Sequence, residues 1–404
     1  MRVAQINMVH FGSTGKIMFH IAKLAAEQGM QVRTFSTYAA SKRPQPLPPA
    51  PDGHWYYGSH LGNTLSSLLS HITGGYGFHS RCSTNILVRK LKAFRPDVIH
   101  LHNLHAGYLH LPTLFRYAQK NNIRLIWTLH DCWTFTGKCP HFSMAKCDKW
   151  KTGCHHCAHL QEYPHTYLDT TSRIWRKKKK LFANAKNLTL VTPSQWLADL
   201  TRESFLKDCP VEVIHNGIDL SVFQPTESEF REKYGCQDKF ILLGVAFGWG
   251  IKKGLDVFLE LAKNLSDDYQ IVLVGTDPRI DAQLPENIIS IHRTKDQREL
   301  AQIYSAANLF INPTREDTYP TVNMESLACG TPVLTFRTGG SPEILDESCG
   351  YTVACDDVQE LVNQIHRIKT TAPYSRSACI KRSQDFNMYD RFREYLRLYD
   401  AQSR

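Results

Sequence analysis

Short apolar runs alternate with longer amphipathic stretches along most of the chain. The run "RVAQINM" reads as a buried strand, and "KIMFHIAKLAAEQ" repeats its apolar residues at helical spacing until Gly29 closes it. "QVRTFSTY" is the next strand. "NILVRKLKAF" is a helix that Arg95-Pro96 ends, and the strands "DVIHLH", "IRLIWTLHD" and "NLTLVTP" follow. The later half repeats the style. "FILLGVAF", "YQIVLVG", "NIISIHR", "NLFINPT" and "PVLTF" read as strands; "GLDVFLELAKNL", "QRELAQIYSAA", "TVNMESLA" and a stretch from "SPEIL" read as helices. This alternation predicts an α/β protein with parallel sheets covered by helices on both faces. Residues 213–229 have turn residues without helical period, as a linker does.

A chain of 404 residues exceeds one ordinary core. The expected organisation is therefore a Rossmann-like domain over 1–215, a linker over 216–225, a second Rossmann-like domain over 226–385 and a final helix over 386–404. Two doubly wound domains of this kind are expected to face a central cleft lined by the carboxyl ends of strands. The longest apolar run, "FILLGVAFGWGI", is too short to cross a bilayer, and the N-terminus lacks the layout of a signal peptide. The expected location is cytoplasmic, with peripheral contact at a membrane face left open. A net charge of +10 favours anionic partners. The sharpest basic run, "RIWRKKKKLF", reads as a helix; it suits either a solvated face or anionic lipid headgroups. Cys139, Cys147, Cys154 and Cys157 cluster, and the Cys-x2-Cys end has knuckle spacing, so a structural zinc site is expected, with His155, His156 and His159 as alternative ligands.

"GSTGK" (12–16) invites a nucleotide P-loop, but His10 and Ile17 occupy positions that the motif needs as glycine and as serine or threonine. What survives for Gly12, Ser13, Thr14, Gly15 and Lys16 is a glycine turn at a helix N-terminus, which either meets an anion or is a plain turn. In "NLFINPTREDTYPTVNMESLACGTPV", Pro320 suits a first helical turn, Gly330 the position just past the end, and Pro332 stops any continuation. Thr321 and Glu325 are i, i+4, so the Glu325 carboxylate shares a face with the open N-terminus. A phosphate flanked by vicinal hydroxyls fits that pairing, as in a nucleotide sugar. Ser341 reads as an N-cap with Pro342 and Glu343 behind it. Lys252 and Lys253 precede another helix, where a cation can neutralise a departing diphosphate. No two aspartates lie two positions apart, so the usual metal clamp of sugar transferases is missing and no catalytic metal is expected.

"VIHNGIDLSVFQP", "KKGLDVFLELA", "DTYPTVNMESLACGTPV" and "TGGSPEIL" resemble successive signatures of glycosyltransferase family four, retaining enzymes of the GT-B fold. "PDVIHLHNLH", "WTLHDCWTFTG" and "VTPSQWLADL" are similar to the N-domain of that family, and the chain most resembles bacterial transferases of capsular and exopolysaccharide assembly. The resemblance implies that Glu325 binds the donor ribose and that Asp317, where the family usually has Glu, meets the donor sugar, with Glu316 beside it. It implies that Thr321, Val322 and Asn323 offer backbone N–H groups to the diphosphate, and that Lys253 binds that diphosphate. The family's partner arginine is Gly248 here, which leaves Lys252 to supply charge. His130 matches a histidine at the reaction centre, while His100, His102 and His105 fall on either an acceptor side or strand-end packing. The substrates implied are a UDP- or GDP-sugar and a lipid-linked glycan acceptor. The last helix is expected to cross back to the first domain. Rival readings are an epimerase or phosphorylase of the same fold, or a basic zinc-knuckle nucleic-acid binder. "WRKKKKLF" offers the last only Trp175 and Phe182, so no nucleic-acid partner is expected.

Overall fold

The computed structural model describes residues 1–37 and 49–400; Tyr38 and residues 401–404, the ends of two expected elements, lie outside them. The chain divides into two compact units, Met1–Ile214 with Phe392–Arg404, and His215–Arg391.

The first unit contains β1 (Arg2–Ile6), α1 (Gly12–Glu27), β2 (Gln31–Thr37), β3 (His54–Tyr57), α2 (His60–Thr73), α3 (Arg81–Phe94), β4 (Val98–Leu101) and α4 (Leu111–Lys120). It continues with β5 (Arg124–Thr128), α5 (Lys149–Thr152), α6 (Thr171–Phe182), β6 (Leu188–Thr192), α7 (Gln195–Glu203) and β7 (Val211–Val213). The strands form one parallel sheet in the order β3-β2-β1-β4-β5-β6-β7. The inner strands are buried on both faces, which is why β4 and β5 read as continuous apolar runs rather than alternating ones. α1 buries Ile17, Met18, Ile21, Ala22, Leu24 and Ala25, the stripe that its periodicity requires. α3 ends where Arg95 takes a left-handed conformation ahead of Pro96.

The second unit contains α8 (Phe230–Lys233), β8 (Phe240–Val245), α9 (Leu255–Asn264), β9 (Tyr269–Val274), α10 (Pro278–Asp281), β10 (Ile288–Ile291) and α11 (Gln297–Ala306). Then come β11 (Leu309–Asn312), α12 (Thr321–Ala328), β12 (Val333–Phe336), α13 (Ser341–Ile344), β13 (Gly350–Val353), α14 (Val358–Thr371) and α15 (Arg376–Ser383). Its sheet is also parallel, in the order β10-β9-β8-β11-β12-β13. Successive residues of β8 serve opposite cores: Ile241 and Leu243 join one apolar cluster, Leu242 the other. The last helix, α16 (Met388–Asp400), buries Phe392, Tyr395, Leu396 and Tyr399 at helical spacing. Tyr395 and Tyr399 reach β5 and β4 of the first unit through Thr128 and His100.

Among the described residues, no helix is long and apolar enough to cross a membrane. Two local expectations change. Gly12–Lys16 is the first turn of α1 rather than a loop before it, with Phe11 at the N-cap. Gly15 is fixed by crowding, because a Cβ there would lie 2.8 Å from the His10 carbonyl carbon. Ser341 is the first residue of α13, with Gly340 in the capping position, and its buried hydroxyl makes no hydrogen bond.

Candidate active site

Strand order reverses between β8 and β11 in the second unit, and loops leaving strands on either side of such a reversal diverge to leave a crevice at their carboxyl ends. Here β8 leads to a 3-10 turn, Ile251–Lys253, and β11 leads to the acidic loop before α12. The two meet through ion pairs: Lys252 Nζ lies 2.8 Å from Glu316 Oε2, and Lys253 Nζ lies 2.8 Å from Asp317 Oδ2. Arg315 locks the arrangement. Its guanidinium takes the Asp256 carboxylate in a fork at 2.8 and 2.7 Å, bonds Asp356 at 2.6 Å and donates to the Ile251 carbonyl. Its N–H also donates to the Lys252 carbonyl at 2.9 Å. These contacts hold the Arg315 pKa above its ordinary value and the Asp256 pKa below its own. Sequence reasoning missed Arg315 because its partners lie 41 to 64 positions away.

Two glycines permit the close approach. A Cβ on Gly254 would sit 2.5 Å from the Pro313 carbonyl oxygen, and one on Gly339 would sit 1.6 Å from the Asp317 carbonyl oxygen, each at positive φ. The "TGG" turn therefore exists to let β12's exit pass against Asp317.

α12 starts behind Pro320, which is its N-cap. Thr321 and Val322 stand at the first two helical positions, whose N–H groups have no intrahelical acceptor. The expected third donor is already used, since Asn323 N–H bonds the Pro320 carbonyl at 3.2 Å. The Asn323 side chain instead accepts from Asn312 at 2.7 Å and ties α12 to β11. Glu325 shares the N-terminal face and accepts from Tyr304 Oη at 3.2 Å. Tyr304 is fully buried, and burial followed by the Glu325 charge pushes its pKa well up, so it stays a donor. Lys252 is bound to a buried Glu316.

In the first unit the reversal lies between β1 and β4. The exits of β4 and β5 carry an imidazole cluster. His102 Nδ1 lies 3.2 Å from His130 Nε2 with the rings stacked, and His102 Nε2 faces the Gln5 amide at 3.1 Å. His100 bonds Tyr399 Oη at 2.6 Å and the Thr128 hydroxyl at 2.8 Å. Burial lowers the His130 pKa to about 4, with Asp131 opposing, lowers His100 to about 3, and holds His102 well below the ordinary imidazole value. The cluster is neutral, so each ring has one donor and one acceptor nitrogen. Gln5 decides which. With its amide nitrogen toward Met18 O and His102 Nε2 and its oxygen toward Ala22 N–H, all three contacts fall between 3.1 and 3.2 Å. His102 Nε2 then accepts, its Nδ1–H donates to His130 Nε2, and the His130 proton sits on Nδ1. His105 belongs to a separate pair, 2.9 Å from Asp131. Burial alone would raise the Asp131 pKa, but His105 and the Trp133 N–H draw it down to about 2.

Asn7 ties the β1 exit to both neighbours, donating to Val9 O and Thr14 Oγ1 and accepting from Asn103 N–H. Lys16 is exposed on the first turn of α1. The basic run is divided: Lys178 is fully buried, donates to Trp133 O at 2.6 Å and Thr136 O at 3.1 Å, and lies over the Trp133 ring, while its lysine neighbours are exposed.

The four clustered cysteines line one cavity of about 300 Å³. Cys139 is hydrogen-bonded to Cys157, and Gly137 N–H donates to Cys154 Sγ at 3.1 Å. The expected zinc site is not supported: among the described residues, no group of three or more His, Cys, Asp or Glu side chains is placed to hold a metal ion.

Comparison with known proteins follows this division. The profile described as "Glycosyltransferase Family 4" matches residues 14–222, and "Glycosyl transferases group 1" matches 239–370. A colanic acid biosynthesis glycosyl transferase, WcaC of Escherichia coli (strain K12), is 29% identical over 66% of this chain and 66% of its own length. The D-inositol 3-phosphate glycosyltransferase of Mycobacterium sp. (strain JLS) is 25% identical over 44% of each chain, so these alignments span less than two thirds of either relative. Among solved structures, the sucrose-phosphate synthase of Thermosynechococcus elongatus superposes with a TM-score of 0.73 at 19% identity, covering 98% of both chains. Anabaena HepE in complex with UDP and glucose gives 0.68 at 14% identity over 100% of both. The architecture is GT-B, with two parallel α/β sheets. The chain belongs to glycosyltransferase family 4.

Proposed function

We propose that the protein is a retaining glycosyltransferase that moves a sugar from a UDP- or GDP-sugar to a lipid-linked glycan acceptor in exopolysaccharide assembly. The observation that carries this reading is the convergence, at one strand reversal, of two lysines, the α12 N-terminus and Glu325. That set suits a nucleoside diphosphate sugar. The helix N-terminus and the lysines take the diphosphate, and Glu325, steadied by Tyr304, accepts both hydrogens of the ribose diol. The UDP bound in the Anabaena structure supports uracil as the base. The colanic acid relative supports a polysaccharide product.

In the reaction, the anomeric C–O bond breaks toward the diphosphate and the acceptor hydroxyl bonds the same face of that carbon. Its proton passes to the departing phosphate oxygen. Lys253 exchanges Asp317 for phosphate oxygens as charge grows on the leaving group, and this stabilisation is the main protein contribution. Asp317, released from Lys253, hydrogen-bonds the transferred sugar. Lys16 and the first turn of α1 meet an acceptor phosphate. Calorimetry against UDP, GDP and their sugars tests the donor; micromolar UDP-sugar binding is expected, and no binding of any nucleotide sugar overturns the reading. NMR of the product's anomeric centre tests retention, and an inverted centre rejects it. A transfer assay with chelator is expected to proceed unchanged.

A further inference from the structure

α2 is built inside out. It is capped at both ends, by the Ser59 hydroxyl accepting from Gly62 N–H at 3.1 Å and by left-handed Gly74, so its orientation is well defined. Yet its buried residues are Ser66 and Ser70, while Leu61 (72%), Leu65 (53%), Leu68 (56%), Leu69 (48%) and Ile72 (39%) are exposed. At 100° per residue those five fall within about a 100° stripe, opposite the serines. Small groups explain the contact face. A Cβ on Gly107 would meet Ser70 Oγ at 2.9 Å, so the helix lies close on that turn and leaves no room for a larger side chain.

The apolar surface continues past the helix end. Tyr167 N–H and Leu168 N–H bond the His71 and Ile72 carbonyls at 3.0 and 3.2 Å, and both side chains are exposed. α2 contains no Asp, Glu, Lys or Arg. Cations stand at its C-terminal edge instead. Thr170 Oγ1 bonds the Thr73 carbonyl and leads into α6, whose Arg173, Arg176 and Lys177 are exposed. Arg173 and Lys177 act on His79, itself 2.7 Å from Thr73 Oγ1. The nearest acids in sequence are engaged: Asp169 with Thr171 and Cys157 N–H, Glu162 with His159.

We propose that α2, with Tyr167 and Leu168, is a membrane-docking face that inserts its leucines beneath the headgroups of an anionic bilayer while Arg173, Arg176 and Lys177 contact lipid phosphates. An uncharged leucine stripe beside a one-signed rim matches that interface. A second copy of the chain fits worse, because an isologous pairing places two basic rims together without acids to offset them. The inference deepens the lipid-linked acceptor of the proposed function, and it is tested without donor or acceptor so that the two fail separately.

Co-sedimentation of the full chain with vesicles of phosphatidylglycerol and phosphatidylcholine is expected to show binding that weakens with salt and is much weaker on phosphatidylcholine alone. Leu65→Glu/Leu68→Glu is expected to lower partitioning by roughly tenfold or more, and Arg173→Gln/Arg176→Gln/Lys177→Gln to flatten the salt dependence. A gentler variant, Leu68→Trp, keeps the face apolar; its added fluorescence is expected to be quenched by brominated lipid. Absence of vesicle binding, equal binding by Leu65→Glu/Leu68→Glu, or an unquenched Leu68→Trp overturns the proposal. So does a solution dimer that Leu65→Glu/Leu68→Glu converts to monomer.

Discussion

The two sheets reverse strand order in the same way, yet the exits at the reversals are opposite in electrical character. In the second unit the exits of β8 and β11 carry four charges in two ion pairs, with Arg315 fastened behind them. In the first unit the exits of β4 and β5 carry imidazoles, His100 and His102 buried and His130 half-buried, whose charge desolvation disfavours. One topology therefore supplies two tools. The part-exposed Lys253–Asp317 pair can exchange partners with an anion more readily than Lys252 can leave the buried Glu316. Neutral rings in a dry site cannot attract an anion, but they present donors and acceptors of fixed direction.

The largest expected effect lies on the charged side. Glu325→Ala removes the acceptor of a diol, and donor affinity is expected to fall by roughly a hundredfold, two hydrogen bonds to a charged group. Calorimetry checks it, and an unchanged affinity assigns the ribose elsewhere. Lys253→Ala comes next, with kcat expected to drop by roughly a hundredfold while donor binding drops less, since the lysine acts on charge that grows in the transition state. Arg315→Ala is expected to cost roughly tenfold in transfer by releasing the turn that aims both lysines, with Lys253 still present. Near-normal rates in that variant would make Arg315 a stability element alone.

The neutral side responds to pH. Because the folded His130 pKa is lowered from 6.5 to about 4, the unfolded chain binds more protons between those values. Stability from the neutral cluster is full above about pH 6.5 and is lost as pH falls through 4. Denaturant titrations are expected to show that loss and to show less of it in His130→Gln. The same slope in wild type and variant would place the acid sensitivity elsewhere. The smallest effect is expected from Gln5→Leu, roughly threefold in transfer, with a mixed His102 tautomer in histidine ¹⁵N spectra where wild type shows Nδ1–H. Wild-type spectra with the proton on Nε2 would reverse the assigned relay.

The inner strands of both sheets were legible because a parallel sheet buries both faces, and apolar runs such as "IRLIWT" and "FILLGV" announce that directly; the short edge strands β3, β7 and β13 were not. α2 was not legible: "HLGNTLSSLLSHIT" mixes serine and asparagine with leucine, and no local rule says that the serines face inward. Within "KKKK", nothing in the sequence separates Lys178, which bonds two carbonyls beneath Trp133, from its exposed neighbours. The zinc expectation found no support among the described residues. Spacing makes four thiols available to one metal, but the backbone between Cys139 and Cys157 decides whether they converge.

By itself the sequence determined the period of most elements, the glycines and prolines that end them, and the residue types able to bind a nucleotide sugar, since these depend on short-range sterics and on side-chain chemistry. Only the tertiary structure decided which carboxylate each lysine holds, which N–H of α12 is already used, and which nitrogen of His130 carries the proton. Those outcomes depend on burial and on partners far away in the chain, and both are properties of the packed fold.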